Sequence, residues 1–197
     1  MVYPSETWDW QRPLVNNVRE DLITPYIANS VITQLLARSS NISIERARSD
    51  SSAIHQPSGF QWWRVAGKYY MQWLAPNRPE IWNTNPDSTA NDREVTRDIV
   101  SRREYANYVE ADYGIHIHTN AFEDPSATGT RIFVVPSRPT DYALAERILC
   151  SMGETIRSNS TYSDWTIASA PTTSNGYGEI RGTAMPSVLI ELGFHTN

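Results

Sequence analysis

Two short apolar segments, far apart in the sequence, carry ionisable residues of the kinds that hold metal ions or move protons. Residues 114–121 contain His116 and His118, and residues 185–194 contain Glu191. Side chains alternate between the two faces of a strand, so the two histidines share one face. In open α/β sheets, ligands collect outside the carboxyl ends of the strands. An imidazole and a carboxylate delivered to that edge predict a hydrolase site.

The elements that must position these residues alternate between helical and extended patterns. Such an alternation predicts a mainly parallel sheet with helices on both faces. The predicted elements are a helix from Pro25, capped by Thr24, to about Ser39, a short strand over 42–44, a helix capped by Asp92 that leads into the histidine strand, a helix over 140–157, and a strand over 187–192.

Length and composition limit the classes of protein that this chain can belong to. With 197 residues, 40% of them hydrophobic, it can bury a real core, and we expect one domain. The net charge of −5 and the lack of a basic stripe argue against nucleic acid as a partner. Because no apolar run approaches the roughly 18 residues of a membrane span, we expect no membrane-spanning segment. We expect any export signal to lie outside this chain.

Cys150 is the only cysteine, which excludes an intramolecular disulfide and a cysteine-rich metal site. It follows Leu144 and Ile148 in a helical pattern, so we expect a buried structural thiol. Any metal ion must therefore be held by histidines and carboxylates.

Four motifs follow one another in the second half of the chain. They are Arg102, Ala106 and Asn107 in a predicted helix, Ile115 to Ala121, Gly129 to Phe133, and Pro186-x-x-Leu189-x-Glu191-x-Gly193-Phe194. In this order they resemble the zinc-dependent N-acetylmuramoyl-L-alanine amidases, the enzymes that cut bacterial cell walls. The resemblance is strong from about Arg102 onward and weaker before it. It implies an α/β fold, a three-layer α/β/α sandwich around a mainly parallel, mixed sheet.

The resemblance also implies a Zn²⁺ site and roles for particular residues. His118 matches a histidine ligand of the family, and Glu20 matches its carboxylate ligand, with Asp21 as the alternative. Glu191 matches the catalytic glutamate, which takes a proton from water and hands it to the departing amine. Asn120 is our candidate for substrate binding, with orientation of the loop backbone as the alternative.

The family's first histidine ligand, in a Gly-His-Gly turn ahead of the glutamate, has no counterpart in the first 20 residues. We expect it upstream, so that residues 1–197 form an amidase catalytic domain incomplete at both ends. This chain alone should then bind zinc weakly and show little activity. His55 or His116 could substitute for the missing ligand, although for His116 we favour a structural or supporting role beside His118.

An insert at about residues 53–90 is rich in aromatic residues and prolines. Its flat rings could stack on sugar rings, or they could pack a loop-rich lobe. His55 lies within this insert, which argues against its being a zinc ligand. The sequence favours packing.

By this resemblance the protein hydrolyses the amide between N-acetylmuramic acid and L-alanine in peptidoglycan. We expect a monomer in the cell envelope, whether in the periplasm, in the cell wall or secreted. Two alternatives stay open: a zinc peptidase that acts on stem peptides, and a non-catalytic wall-binding module that kept the fold but lost the metal. Turnover of glycan-free stem peptides would favour the first, and a metal-free protein would favour the second.

Overall fold

The structure is a computed structural model that describes residue 10, residues 12–124 and residues 126–196. Its backbone divides into two compact units. Unit 1 comprises Met1–Leu14 and Arg19–Ala111, and unit 2 comprises Val15–Val18 and Asp112–Asn197. The predicted insert lies in unit 1, and both motif strands lie in unit 2.

Unit 1 is mainly helical. Its elements are α1 (Glu20–Arg38), β1 (Ile54–His55), β2 (Phe60–Gln61), α2 (Gly67–Leu74), α3 (Pro79–Trp82) and α4 (Arg93–Tyr108), with a 3₁₀ turn over Trp62–Arg64. Met71, Ile81 and Tyr105 form its buried centre, one from each of α2, α3 and α4. Asp92 stands at the N-cap of α4, as predicted, although its side chain makes no capping hydrogen bond.

Helix α1 begins at Glu20, five residues before the predicted start, so Pro25 lies inside the helix. Two acidic residues in the first turn favour this earlier start, because they interact well with the positive end of the helix dipole. Proline has no N–H to give to the carbonyl four residues earlier. The Arg48 Nη2 group donates to that carbonyl, of Asp21, at 3.1 Å. The predicted strand over 42–44 is wrong, since this stretch is irregular.

The aromatic rings of the insert pack largely on one another. Tyr70 and Trp73 stack with their centroids 5.8 Å apart, and Trp62 lies 6.3 Å from each ring. The indole of Trp82 donates to the Ala75 carbonyl at 3.0 Å. These contacts favour the packing alternative, although the side chain of Trp73 is 64% exposed.

Unit 2 contains a four-stranded sheet in the order β3-β6-β4-β5. Strand β6 runs parallel to β3 and antiparallel to β4, while β4 and β5 are parallel. Helices together with this mixed, mostly parallel sheet confirm the predicted α/β fold class. The elements are β3 (Gly114–Asn120), β4 (Arg131–Val134), α5 (Pro139–Arg157), β5 (Thr172–Thr173) and β6 (Ser187–Phe194), with a 3₁₀ turn over Ser160–Tyr162.

Helix α5 covers one face of this sheet. Ala145 and Leu149 pack against a buried set of branched side chains, namely Ile132, Val134, Val188 and Ile190. The alternation of a strand sends the residues between them to the opposite face. The ionisable residues of the two motif strands therefore project from the face that α5 does not cover.

Cys150 is exposed, so the prediction of a buried thiol is wrong. The buried stripe of α5 runs through Asp141, Ala145, Leu149 and Gly153. Successive residues of a helix are about 100° apart, and Cys150 therefore turns away from the core that Leu149 enters. None of the helices in the described part of the chain combines the length and apolar character needed to cross a membrane.

Candidate active site

Glu191 lies on the central strand of the sheet, next to His118. In the strand register, Glu191 pairs with His118 of β3 on one side and with Arg131 of β4 on the other. Directly paired residues on neighbouring strands point to the same face. Glu191, only 7% exposed, therefore projects between an imidazole and a guanidinium group on the face that α5 leaves uncovered.

Glu179 brings a second carboxylate to this face. Its Oε2 atom lies 2.7 Å from His118 Nε2 and 3.4 Å from His116 Nδ1. The side chain of Glu179 is almost completely buried. The structure thus confirms that both histidines of β3 point to one face, and it shows that a single carboxylate contacts both.

Sequence reasoning missed Glu179. It lies 61 residues from His118 in the chain, in an irregular segment between β5 and β6. No strand or helix pattern surrounds it. The sequence offers only a weak signal of its burial, an acidic residue directly before an apolar one. That apolar residue, Ile180, is completely buried in the structure.

The same segment brings an aromatic ring into the neighbourhood of Glu191. The Tyr177 ring lies 4.6 Å from the Phe133 ring of β4, centroid to centroid. Burial raises the pKa of Tyr177, the negative charge of Glu191 raises it further, and Arg131 opposes both effects. Tyr177 therefore lies close enough to Glu191 for their charges to interact.

Arg138, at the start of α5, anchors the end of this segment. Its guanidinium donates to the Thr183 carbonyl at 2.9 Å and to the Met185 carbonyl at 2.6 Å. The Nε group pairs with the fully buried Asp141 at 3.1 Å. Burial raises the pKa of Asp141, and the positive charge of Arg138 opposes the shift.

Asn120 ends β3 and uses its side chain locally. Its Oδ1 atom accepts a hydrogen bond from the Ala121 N–H at 2.8 Å, and its carbonyl accepts one from the His195 N–H at 3.0 Å. The Nδ1 atom of His195 also lies 3.0 Å from Thr119 Oγ1. These contacts favour orientation of the loop backbone, while substrate binding by Asn120 stays a prediction.

Glu20 and Asp21, the predicted carboxylate ligand and its alternative, are the first residues of α1 and are both buried. The Glu20 carboxylate pairs with Arg12 Nε at 3.3 Å. Both residues belong to unit 1, whereas His118 belongs to unit 2. A zinc site shared by Glu20 and His118 stays a prediction.

His55 is packed in unit 1. Its ring lies 4.5 Å from the Trp62 ring, and its Nδ1 atom lies 2.9 Å from Ser58 Oγ. Burial lowers the pKa of His55. These contacts favour a packing role for His55 over that of a substitute ligand.

A catalytic zinc ion needs about three protein ligands, with nitrogen or oxygen donors at about 2.0–2.2 Å. His118 and Glu179 offer donors of the right kinds. Within residues 12–124 and 126–196, however, no group of three histidine, cysteine or acidic side chains is arranged to hold a metal ion. The described residues therefore match zinc in donor type but do not make a complete site.

The sequence profile of one family, Amidase_3, described as N-acetylmuramoyl-L-alanine amidase, matches residues 15–197. This match spans both motif strands and nearly the whole chain. The chain belongs to the N-acetylmuramoyl-L-alanine amidase family, which confirms the resemblance seen in the motifs.

Solved structures similar to the chain include three amidases. The CwlD amidase from Clostridioides difficile in complex with the GerS lipoprotein is 19% identical, over 58% of this chain and 54% of that chain, with a TM-score of 0.47. An N-acetylmuramoyl-L-alanine amidase from Clostridium difficile 630 is 26% identical, over 49% and 48%, with a TM-score of 0.40. AmiC2 of Nostoc punctiforme is 27% identical, over 48% and 47%, with a TM-score of 0.39. The chain thus matches about half the length of these proteins. A search of curated proteins found no match.

Proposed function

We propose that this protein hydrolyses the amide bond between N-acetylmuramic acid and L-alanine in peptidoglycan. Its membership of the amidase family, over residues 15–197, supports this reaction. The observation that carries the proposal is the register pairing of His118 with Glu191 on one face of adjacent parallel strands. Acting on this substrate implies a location in the cell envelope or outside the cell, and we propose that the protein acts as a monomer.

Glu191 is the proposed general base and acid. A buried carboxylate beside a bound substrate can accept the proton of an attacking water molecule, which leaves the oxygen free to attack the amide carbon. The same carboxyl group then protonates the nitrogen of L-alanine as the C–N bond breaks. Glu191 is itself only 7% exposed, which limits the access of other water to it.

His118 and Glu20 are the proposed zinc ligands, and Asn120 is the proposed substrate-binding residue. Imidazole nitrogen and carboxylate oxygen are donors that zinc commonly takes in proteins. Elemental analysis of the full natural protein tests this assignment. His118→Ala should lose zinc, whereas Glu191→Gln should keep it, because a ligand holds the metal and a general base acts on the water.

The role of Glu191 is tested by Glu191→Gln in the full natural protein, with purified muropeptides as substrate. The amide side chain keeps the shape of glutamate but cannot accept the proton of water, so we expect kcat to fall by about 10²–10⁴-fold. The thermal unfolding midpoint should change little. Glu146→Gln is the matched control, because Glu146 is exposed on α5 and its replacement should leave kcat unchanged.

Near-full activity of Glu191→Gln would remove Glu191 from the mechanism. Two other outcomes point to the alternatives named above. Cleavage of glycan-free stem peptides by the unaltered protein would indicate a peptidase. Binding to cell walls without cleavage would indicate a wall-binding module.

A further inference from the structure

Helix α2 of unit 1 presents one indole ring to solvent. Trp73 is 64% exposed, although the ring of Tyr70 stacks on it with the two ring planes only 11° apart. The two residues are three positions apart, so they lie on the same side of the helix. Because Tyr70 covers one face of the indole, the exposed area of Trp73 belongs mainly to the other face and the edges of its ring.

The neighbours of Trp73 hold its ring in a fixed orientation. The Trp62 ring lies 6.3 Å from the rings of both Tyr70 and Trp73, and it packs in turn on the His55 ring at 4.5 Å. Met71 is completely buried and fixes α2 to the centre of unit 1. A flat ring that is already held in place loses little conformational freedom when it binds a ligand.

Charged side chains lie beside the stacked pair. Burial raises the pKa of Tyr70, and the negative charges of Asp50 and Glu45 raise it further, while the positive charge of Arg46 opposes them. The Nη2 group of Arg46 pairs with Asp50 at 3.3 Å, and Glu45 Oε2 lies 3.4 Å from the Tyr105 hydroxyl. Carboxylates accept hydrogen bonds and guanidinium groups donate them. The rim of the stacked pair can therefore meet both donors and acceptors of a ligand.

We propose that Trp73 is a glycan-binding residue, which stacks on a pyranose ring of the peptidoglycan strand. One face of such a ring consists of C–H groups and suits a flat indole, while its hydroxyl and amide groups stand at the rim and suit the charged side chains beside Tyr70. A wholly apolar partner would instead remove the carboxylates of Glu45 and Asp50 from water, which is costly for charged groups. The choice of peptidoglycan among sugar polymers rests on the proposed function.

The test is ¹H–¹⁵N correlation NMR on the full natural protein, labelled with ¹⁵N-tryptophan and titrated with short peptidoglycan glycan strands freed of their stem peptides. These strands lack the amide bond of the proposed reaction, so binding is measured without cleavage. The indole signal of Trp73, assigned by its loss in Trp73→Phe, should shift as glycan is added. The signal of Trp165, whose indole donates to Thr130 Oγ1 within unit 2, should stay in place. An unmoved Trp73 signal would overturn the proposal.

Substitutions show whether stacking is responsible for the binding. Trp73→Ala removes the ring, so the affinity for the same strands, measured by calorimetry, should fall by about tenfold. Trp73→Phe keeps a smaller flat ring and should retain part of the affinity. Tyr26→Ala is the matched control, because Tyr26 is an aromatic residue on α1 of the same unit, 76% exposed, and its loss should leave the affinity unchanged. Equal affinities of Trp73→Ala and the unaltered protein would contradict the stacking role.

Two further measurements distinguish this proposal from other interpretations. If sedimentation showed a dimer that Trp73→Ala converts to monomers, and glycan did not bind, the exposed ring would belong to an interface between copies and the proposal would be wrong. Amidase activity on muropeptides without any binding of glycan strands would contradict this inference alone. Binding of glycan strands by a protein without amidase activity would support it and contradict the proposed function.

Discussion

At the scale of single residues, the approach of β3 to β6 depends on a glycine. A Cβ atom added to Gly114 would lie 2.4 Å from Ser187 Oγ and 3.2 Å from Ser187 Cβ. Ser187 is completely buried and is the register partner of Gly114. This close contact sits at the start of the two strands that carry His118 and Glu191.

Gly114→Ala should therefore destabilise the protein. Overpacking of a buried contact typically costs about 1–3 kcal/mol, which urea-induced unfolding would detect as a lower midpoint. Ser187→Ala removes the nearest clashing atom, so the double variant should be more stable than the sum of the single effects predicts, by about 0.5 kcal/mol or more. Full stability of Gly114→Ala alone would show that the strands do not approach this closely.

Single residues also show which features of the candidate site could be predicted from the sequence and which could not. His116 and His118 stand on a strand whose alternation is visible in the sequence, so their shared face was predictable, whereas the register that pairs His118 with Glu191 was not. Glu179 was not, because its contact with His118 joins a strand to an irregular segment 61 residues away. A pairing of this kind depends on tertiary packing and leaves no periodic pattern.

At the scale of elements, the long helices and both motif strands were predictable, and the exceptions have local causes. Helix α1 starts earlier than predicted because its two acidic first residues suit the helix dipole, and Arg48 donates to the carbonyl that Pro25 leaves without an N–H. Cys150 is exposed because the adjacent Leu149 occupies the buried stripe of α5. The insert folds into short helices whose lengths, of eight and four residues, give too little periodicity to be recognised.

Helix α2 offers a test of how the insert is packed. Met71 is completely buried against α3 and α4, whereas Trp73, two residues later, is 64% exposed. Met71→Ala should lower the free energy of unfolding by about 2–5 kcal/mol, because it leaves a cavity. Trp73→Ala on the same helix should lower it by less, about 0.5–1.5 kcal/mol, because it removes mainly the stacking contact with Tyr70.

Chemical denaturation of the two variants, followed by circular dichroism, provides the comparison. Equal losses of stability would show that Trp73 is buried in the insert instead of being exposed to solvent. A negligible effect of Met71→Ala would contradict the buried centre of unit 1.

At the scale of the whole molecule, the family profile spans both units, from residue 15 to residue 197. Composition alone indicated a folded chain with a core and no nucleic-acid partner, but it could not indicate a substrate. The amidase proposal came from ordered motifs and was supported by the family match. The division into two compact units was not predicted, because no linker or change in composition marks it in the sequence.

The identity of the bond that is cleaved tests the central claim most directly. Purified cell walls are digested with the full natural protein, and the soluble products are analysed by mass spectrometry after labelling of free amino groups. We expect stem peptides that begin with a free L-alanine amino group, together with glycan chains whose lactyl groups end in carboxylates. New reducing sugar ends, cleavage within the stem peptide, or no new L-alanine amino groups would contradict the account.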